Sequence, residues 1–176
     1  MKKDSLWANI FADKTKDRNE VIKTLKLVPL FSQLNTSELK EFEKISHQRF
    51  FKAGEPVFWE GEPGVGMYIV KLGSVAVCKI TPEKGKEELA ILRQGDFFGE
   101  LALIDEGPRS ATCMAHENAE IIGIFRPDLV KLLARKPRLG NKFLFRFATL
   151  LGKRLIATHK ENKELRLQLE KSNIII

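Results

Sequence analysis

Residues 98–112 read FGELALIDEGPRSAT, and this stretch carries the strongest structural signal in the chain. Gly99 precedes an apolar run at 101–104 that has the length of one helical turn, and a single arginine, Arg109, follows. Glycine lets the backbone approach a ligand closely, and the free amides at the start of a helical turn favour an anion. The planar guanidinium of arginine suits two-point contact with phosphate oxygens. The stretch therefore predicts a buried pocket for a small phosphate ester.

Glu100 narrows the class of anion. An ionised carboxylate only accepts hydrogen bonds, and a phosphate beside it would be repelled. A sugar hydroxyl next to the phosphate would supply the missing donor, and this combination describes a nucleotide. In the alternative interpretation Glu100 and Arg109 form a structural ion pair with each other, and such a pair is also compatible with binding.

The chain on either side of this stretch predicts antiparallel β-structure. Short runs rich in β-branched and aromatic residues recur from about 48 to 125, and turns containing glycine or proline separate them. Many short strands at regular intervals are typical of a barrel or roll. Strands and helices do not alternate, which disfavours a doubly wound parallel sheet.

Helices are predicted on both flanks. Residues 35–38 form a capping pattern ahead of Leu39 and Phe42, and the apolar segment 6–11 could be a helix that packs on a partner or on the core. A long helix is expected from about Pro137 to Glu170. Its apolar stripe is Phe143, Phe147, Leu150, Leu151 and Leu155. Such a stripe is usually core, but a helix of this length also often pairs with a second copy.

The composition suits one moderately sized domain with its own core, since 43% of the 176 residues are hydrophobic. Cys78 and Cys113 form no CxxC pair and the three histidines are scattered, so we expect neither disulfides nor a metal site. No apolar run approaches the ~20 residues that a membrane span needs, and no signal-peptide core follows Met1. These features predict a cytoplasmic protein with no membrane span.

The formal net charge of +7 is concentrated near the C-terminus, where 13 lysines and arginines lie between Arg126 and Lys171 against four acidic residues. A basic helical tail could meet nucleic acid, an acidic protein or a membrane surface. A solvated helix face that keeps the protein soluble is the simpler interpretation. No paired carboxylates and no Ser/His/Asp or Cys/His set stand out, so we do not expect an enzyme.

Residues 98–103 followed by 108–112 resemble the phosphate-binding cassette of the cyclic nucleotide-binding domain family, which includes catabolite activators, kinase regulatory subunits and gated channels. Glycine-containing turns at 54–55, 61–62 and 95–96 support the resemblance, which extends over about 25–155. It implies an α+β fold in which an antiparallel eight-stranded β-roll, of the double-stranded β-helix or jelly-roll type, is flanked by N-terminal helices and a long C-terminal helix. The implied ligand is cAMP, with cGMP as the alternative.

The resemblance also assigns the site. The implied ligand-binding residues are Gly99, Glu100, Leu101, Ala102, Arg109, Ser110 and Ala111. Glu100 would bind the ribose 2′-hydroxyl and Arg109 the cyclic phosphate, while Ser110 would lie near the phosphate and base. The C-terminal helix would supply a lid over the purine. The candidates for the lid are Phe147, Leu150, Leu151 and Arg154.

We therefore expect an N-terminal helical extension (1–27), a cyclic nucleotide-binding domain (28–155) and a C-terminal helical tail (156–176). The expected function is a sensor that passes ligand binding through its C-terminal helix to a protein effector or a dimer mate. In the alternative it is a scaffold of the same fold that senses nothing or touches nucleic acid through its basic helices. A catabolite activator-like DNA-binding domain would need roughly 60–70 residues after the long helix, so we do not expect DNA as a partner.

Overall fold

The computed structural model describes residues 18–81, 85–105 and 107–173, with side chains up to residue 170. Within these ranges eight antiparallel strands form two four-stranded sheets. The strands are β1 Ser46–Phe51, β2 Pro56–Phe58, β3 Gly66–Leu72, β4 Val75–Thr81, β5 Gly85–Leu92, β6 Phe97–Phe98, β7 Thr112–Ala115 and β8 Ala119–Phe125. One sheet has the order β1-β8-β3-β6 and the other β2-β7-β4-β5. The predicted α+β class and the antiparallel eight-stranded roll are confirmed.

Helices flank the roll on both sides along the chain. Residues 18–27 are helical (α1). The remaining helices are a 3₁₀ turn Pro29–Phe31, α2 Thr36–Glu43, a 3₁₀ turn Glu100–Leu103, α3 Arg126–Arg135 and α4 Pro137–Asn173. The predicted capping box is present, because Asn35 accepts from the amide of Glu38 and the Glu38 carboxylate accepts from the amide of Asn35. The apolar segment predicted at 6–11 lies outside the described residues.

Two hydrophobic cores hold the fold together. The first joins the helices to the sheet that contains β3 and β8, and Phe31, Phe42 and Phe143 meet at its centre with ring centroids 4.9–5.9 Å apart. The second lies between the two sheets and includes Tyr68 and Phe98. The helical core therefore anchors the start of α4 to the same strands that lead into the 98–112 stretch.

The apolar stripe of α4 is divided between the core and the solvent. Phe143 and Phe147 are buried, and Leu150 and Leu151 pack partly against the first core. Leu155 does not continue this packing, because 59% of its surface is exposed. Every residue from 153 to 170 is exposed, so α4 packs little against the described part of the domain after its first four turns. Throughout the described ranges, no helix is long and apolar enough to cross a membrane.

Two phenylalanines on α4 provide a matched test of the helical core. Replacing the buried Phe143 by alanine removes its contacts with Phe31 and Phe42 and should lower the free energy of unfolding by about 3–5 kcal/mol. Phe145→Ala, at a site that is 72% exposed, should change it by about 0.5 kcal/mol or less. Urea unfolding followed by circular dichroism measures both. Equal losses would show that the first core does not anchor α4.

Candidate functional site

The turn between β6 and β7 depends on a glycine at position 99. Gly99 has φ +66°, in the left-handed region, and it caps the 3₁₀ turn Glu100–Leu103. A Cβ atom at this position would lie 2.6 Å from Nη1 of Arg109. Glycine is required here by its φ angle and by the close approach of the guanidinium.

Arg109 lies beneath this turn with only 6% of its surface exposed. Its Nη1 donates to the Gly99 carbonyl (3.0 Å) and its Nη2 to the Gly66 carbonyl (2.9 Å). The guanidinium carbon is 4.1 Å from the centroid of the Phe58 ring and 5.5 Å from that of Tyr68. Burial lowers the pKa of this guanidinium, although Tyr68 opposes the shift. Arginine nonetheless stays cationic at neutral pH.

The charge of Arg109 is thus held by carbonyl dipoles and ring faces. Among the described residues, no carboxylate forms an ion pair with it, and its Nε has no hydrogen-bond partner. The alternative in which Arg109 and Glu100 neutralise each other is therefore wrong for this structure. Since a buried cation without a counter-ion is costly, this arrangement favours an anion at the site.

The partner of Glu100 is Arg154, which lies 54 residues later in the chain. Its carboxylate is buried and accepts a hydrogen bond from Nη1 of Arg154 on α4. The Arg154 guanidinium also lies over the Phe97 ring, 4.7 Å from the centroid. Of the four lid candidates, Arg154 is the one that lines the cavity. Phe147 lies instead in the helical core.

A cavity of about 330 Å³ connects these groups, a size in the range of small-molecule sites. All seven residues predicted for the site line it: Gly99, Glu100, Leu101, Ala102, Arg109, Ser110 and Ala111. The amide of Ala102 is already engaged, since it donates to the Gly99 carbonyl at 3.3 Å. The cavity therefore combines a buried cation, a buried carboxylate and a turn at one end.

The apolar wall of the cavity was not predicted from the sequence. It includes Phe58 of β2, Val77 of β4, Leu92 of β5 and Phe97 of β6. These residues come from four different strands, which belong to both sheets. Strand alternation indicates which side chains share a face of one strand, but the pairing of the strands decides which faces meet. Only the tertiary structure brings them to one cavity.

Cys113 also lines the cavity, as a buried thiol. Burial raises the pKa of its thiol to about 12, so the reactive thiolate is scarce at neutral pH. In the part of the chain that the structure describes, no group of three or more His, Cys, Asp or Glu residues could hold a metal ion. A buried cation and a buried carboxylate in one cavity suit recognition of an anion that has a hydrogen-bond donor beside it.

Comparisons with known proteins agree on one family. A family model for the cyclic nucleotide-binding domain matches residues 48–136. The Cyclic AMP receptor protein of Thermus thermophilus is 34% identical over 131 residues, which cover 74% of this chain and 59% of that protein. This chain thus spans less than two thirds of that relative.

Two solved structures resemble the fold. A cyclic nucleotide-binding domain from Methylobacillus flagellatus matches with a TM-score of 0.71 and 29% identity, over 83% of this chain and 82% of that chain. The regulatory domain of Toxoplasma gondii PKA, solved with cAMP, matches with a TM-score of 0.65 and 29% identity, over 80% of this chain and 50% of that chain. Together with the family model, which matches about half of the sequence, these results show that the chain belongs to the cyclic nucleotide-binding domain family.

Proposed function

We propose that the chain is a non-catalytic sensor of a cyclic nucleotide and that cAMP is its ligand. The observation that carries the proposal is the Arg109 guanidinium, which is buried beside the cavity without a carboxylate partner among the described residues. A cyclic phosphate would supply the counter-ion. The free, buried thiols of Cys78 and Cys113 fit a reducing cytoplasm as the place of action.

In this proposal, different residues of the cavity bind different parts of the nucleotide. Arg109 binds the phosphate oxygens, with the turn at Gly99 and the amides of Leu101 and Ala111 around them. Glu100 accepts a hydrogen bond from the ribose 2′-hydroxyl. The apolar wall that contains Val77 and Leu92 offers a surface for the purine, because flat rings bind well against aliphatic side chains.

Two relatives favour cAMP over cGMP as the proposed ligand. One is named a Cyclic AMP receptor protein, and the other was solved with cAMP. Ser110 lines the cavity and is exposed. Its hydroxyl could also accept a hydrogen bond from the amino group of guanine. Both nucleotides therefore belong in the binding experiment.

We also propose that Arg154 transmits the effect of ligand binding from the cavity to the rest of α4. The guanidinium is half-exposed while the Glu100 carboxylate is buried, so this ion pair ties the helix to the cavity. A ribose hydroxyl that binds Glu100 competes with Arg154 and changes how firmly α4 is held. A ligand shifts the position of the helix to the extent that it binds one arrangement more tightly than the other.

Removal of the Arg109 guanidinium tests the ligand. Arg109→Ala should weaken cAMP binding at least about 30-fold, because a charged hydrogen-bond donor to an anion contributes roughly 1.5–3 kcal/mol per bond. Arg109→Lys keeps the charge but loses the two-point contact, so it should bind with intermediate affinity. Isothermal titration calorimetry with cAMP and with cGMP measures all three proteins, and circular dichroism checks that each is folded.

Arg49 provides the matched control, since it is an exposed arginine on β1, on the sheet that holds β6. Arg49→Ala should leave the dissociation constant unchanged. No heat from the native protein with either nucleotide, or an unchanged affinity in the folded Arg109→Ala variant, would refute the proposed ligand.

The close approach at Gly99 gives a second test. Gly99→Ala places a Cβ 2.6 Å from the Arg109 guanidinium, so the guanidinium must move and cAMP affinity should fall at least about tenfold. Gly54→Ala is the control: Gly54 also has a positive φ, +83°, but a Cβ there would meet nothing within 4 Å. It should lower the melting temperature and leave the affinity unchanged. Equal affinities in the two variants would contradict the role of Gly99.

Arg154→Ala tests transmission separately from binding. In the native protein, cAMP should change the hydrogen exchange of α4 amides near residue 154. In Arg154→Ala this change should be lost, while cAMP affinity shifts by about tenfold or less, because Arg109 still holds the phosphate. The adjacent exposed Lys153→Ala should retain the native response. An undiminished response in Arg154→Ala would exclude this route, and hydrogen-exchange mass spectrometry distinguishes the outcomes.

A further inference from the structure

The helix α4 carries an exposed apolar face on the side that points away from the domain. Phe145 and Ile156 on this side are 72% and 71% exposed, and the small residues Ala148 and Gly152 lie between them. These four positions are 3, 4 and 4 residues apart, so they follow one line along an α-helix. We call these four residues the outer face. It is an apolar strip roughly 16 Å long, since each helical residue adds about 1.5 Å.

The outer face lies on the opposite side of α4 from the nucleotide cavity. Phe145 and Arg154 are nine residues apart, which is about two and a half helical turns, so their side chains point in opposite directions. Arg154 reaches Glu100 in the cavity, and Phe147 is buried in the helical core. The domain therefore occupies one side of this part of α4. A partner that enclosed the helix would meet the domain, whereas a flat surface that touches one side would not.

The sequence around the outer face is strongly cationic. From Leu129 to Lys160 it contains nine lysines and arginines and no aspartate or glutamate. Lys142, Lys153 and Lys160 are 11 and 7 residues apart, which puts them on a second line beside the outer face. We call these three residues the lysine edge. Lys142 pairs with Glu38. Lys153 and Lys160 are exposed, and no ion pair joins either of them to another described residue.

The combination of an apolar strip and a cationic edge distinguishes between three kinds of anionic partner. A nucleic acid is bound mainly through its phosphates by basic side chains, which leaves no role for Phe145 and Ile156 at the centre of the strip. An acidic protein that enclosed the helix would be blocked where the domain packs. An anionic lipid surface attracts the lysines, takes up apolar side chains between its headgroups and contacts one side of the helix only. The lipid surface fits all three observations.

We propose that α4 binds the surface of an anionic membrane, with the outer face towards the lipid and the lysine edge at the headgroups. The helix lies on the surface, since no helix within the described ranges is long and apolar enough to cross a membrane. In such an interfacial helix the apolar face is buried at the boundary between headgroups and acyl chains, and the basic residues stay beside the lipid phosphates. Because Arg154 points to the other side, membrane binding requires no nucleotide and leaves the cavity open.

Cosedimentation with lipid vesicles tests the proposal without any nucleotide. The native chain should bind vesicles of phosphatidylcholine that contain about 30% phosphatidylserine and should not bind phosphatidylcholine alone, because anionic lipid supplies the attraction. Added salt should weaken the binding, since it screens exposed charges. A folded native chain that does not bind the anionic vesicles at low salt overturns the proposal. Binding to mixed-sequence DNA but not to these vesicles also overturns it.

Two exposed phenylalanines test the apolar part of the surface. Phe145→Ser should lower the affinity for anionic vesicles at least about fivefold, because the aromatic ring no longer enters the lipid. Phe50 is 59% exposed and lies on β1, so Phe50→Ser is the matched control and should bind like the native chain. Equal affinities of the two variants overturn the proposal. If light scattering shows native oligomers that Phe145→Ser disrupts, a second copy covers the outer face and the proposal is wrong.

Two double exchanges separate the lysine edge from the overall charge. Lys153→Glu with Lys160→Glu should weaken vesicle binding at least about tenfold, because each basic residue near an anionic surface contributes about fivefold. Lys26→Glu with Lys86→Glu changes the net charge equally, but Lys26 lies on α1 and Lys86 on β5. This control should change the affinity about twofold or less. Equal losses in the two double variants, both folded by circular dichroism, overturn the proposal.

An environment-sensitive fluorophore measures insertion directly. The native thiols of Cys78 and Cys113 are buried, so the label attaches to a new cysteine on the surface. A label at Phe145→Cys should shift its emission to the blue with anionic vesicles, because it enters an apolar environment. The same label at Phe50→Cys should not shift. A vesicle-bound protein whose label at position 145 shows no shift overturns the proposed orientation and with it the proposal.

Discussion

The burial of the Arg109 guanidinium is the constraint on which the site depends. A cation in the interior needs polar partners, and here the carbonyls of Gly99 and Gly66 supply them together with the rings of Phe58 and Tyr68. These partners come from β2, from β3 and from the turn after β6, so the guanidinium can be held only after both sheets have formed. Its close approach to Gly99 excludes any side chain there. The arrangement holds a positive charge ready for a phosphate at the end of an apolar cavity.

The ion pair between Glu100 and Arg154 connects this site to the C-terminal helix α4. The ion pair spans 54 residues of sequence and joins the turn after β6 to the fifth turn of α4. Before that point α4 is held by Phe143 and Phe147 in the helical core, and beyond it the helix is exposed. The pair therefore lies between the part of α4 that packs in the core and the part that is exposed. A ligand that acts on this pair acts on the segment with the least packing to resist a shift.

The apolar residues of the two halves of α4 have different surroundings. The first half contributes to the core that fixes the domain. The second half bears Leu155, Leu165 and Leu169, each of which is more than half exposed among the described residues. One continuous helix thus contributes Phe143 and Phe147 to the domain core and Arg154 to the cavity.

The sequence by itself predicted antiparallel strands in a barrel or roll with flanking helices, because periodicity and turn chemistry are local properties. The resemblance of residues 98–112 to a known cassette narrowed this prediction to an eight-stranded roll and implied the site residues. It also pointed to Arg154 as one of several lid candidates. Only the tertiary structure decided that Arg154 binds Glu100, that Arg109 is held by carbonyls, and that Val77 and Leu92 wall the cavity. These contacts join segments far apart in the chain, so strand pairing and the path of α4 choose them. Leu155 fits the same apolar stripe as Phe147, and burial alone separates a core residue from an exposed one.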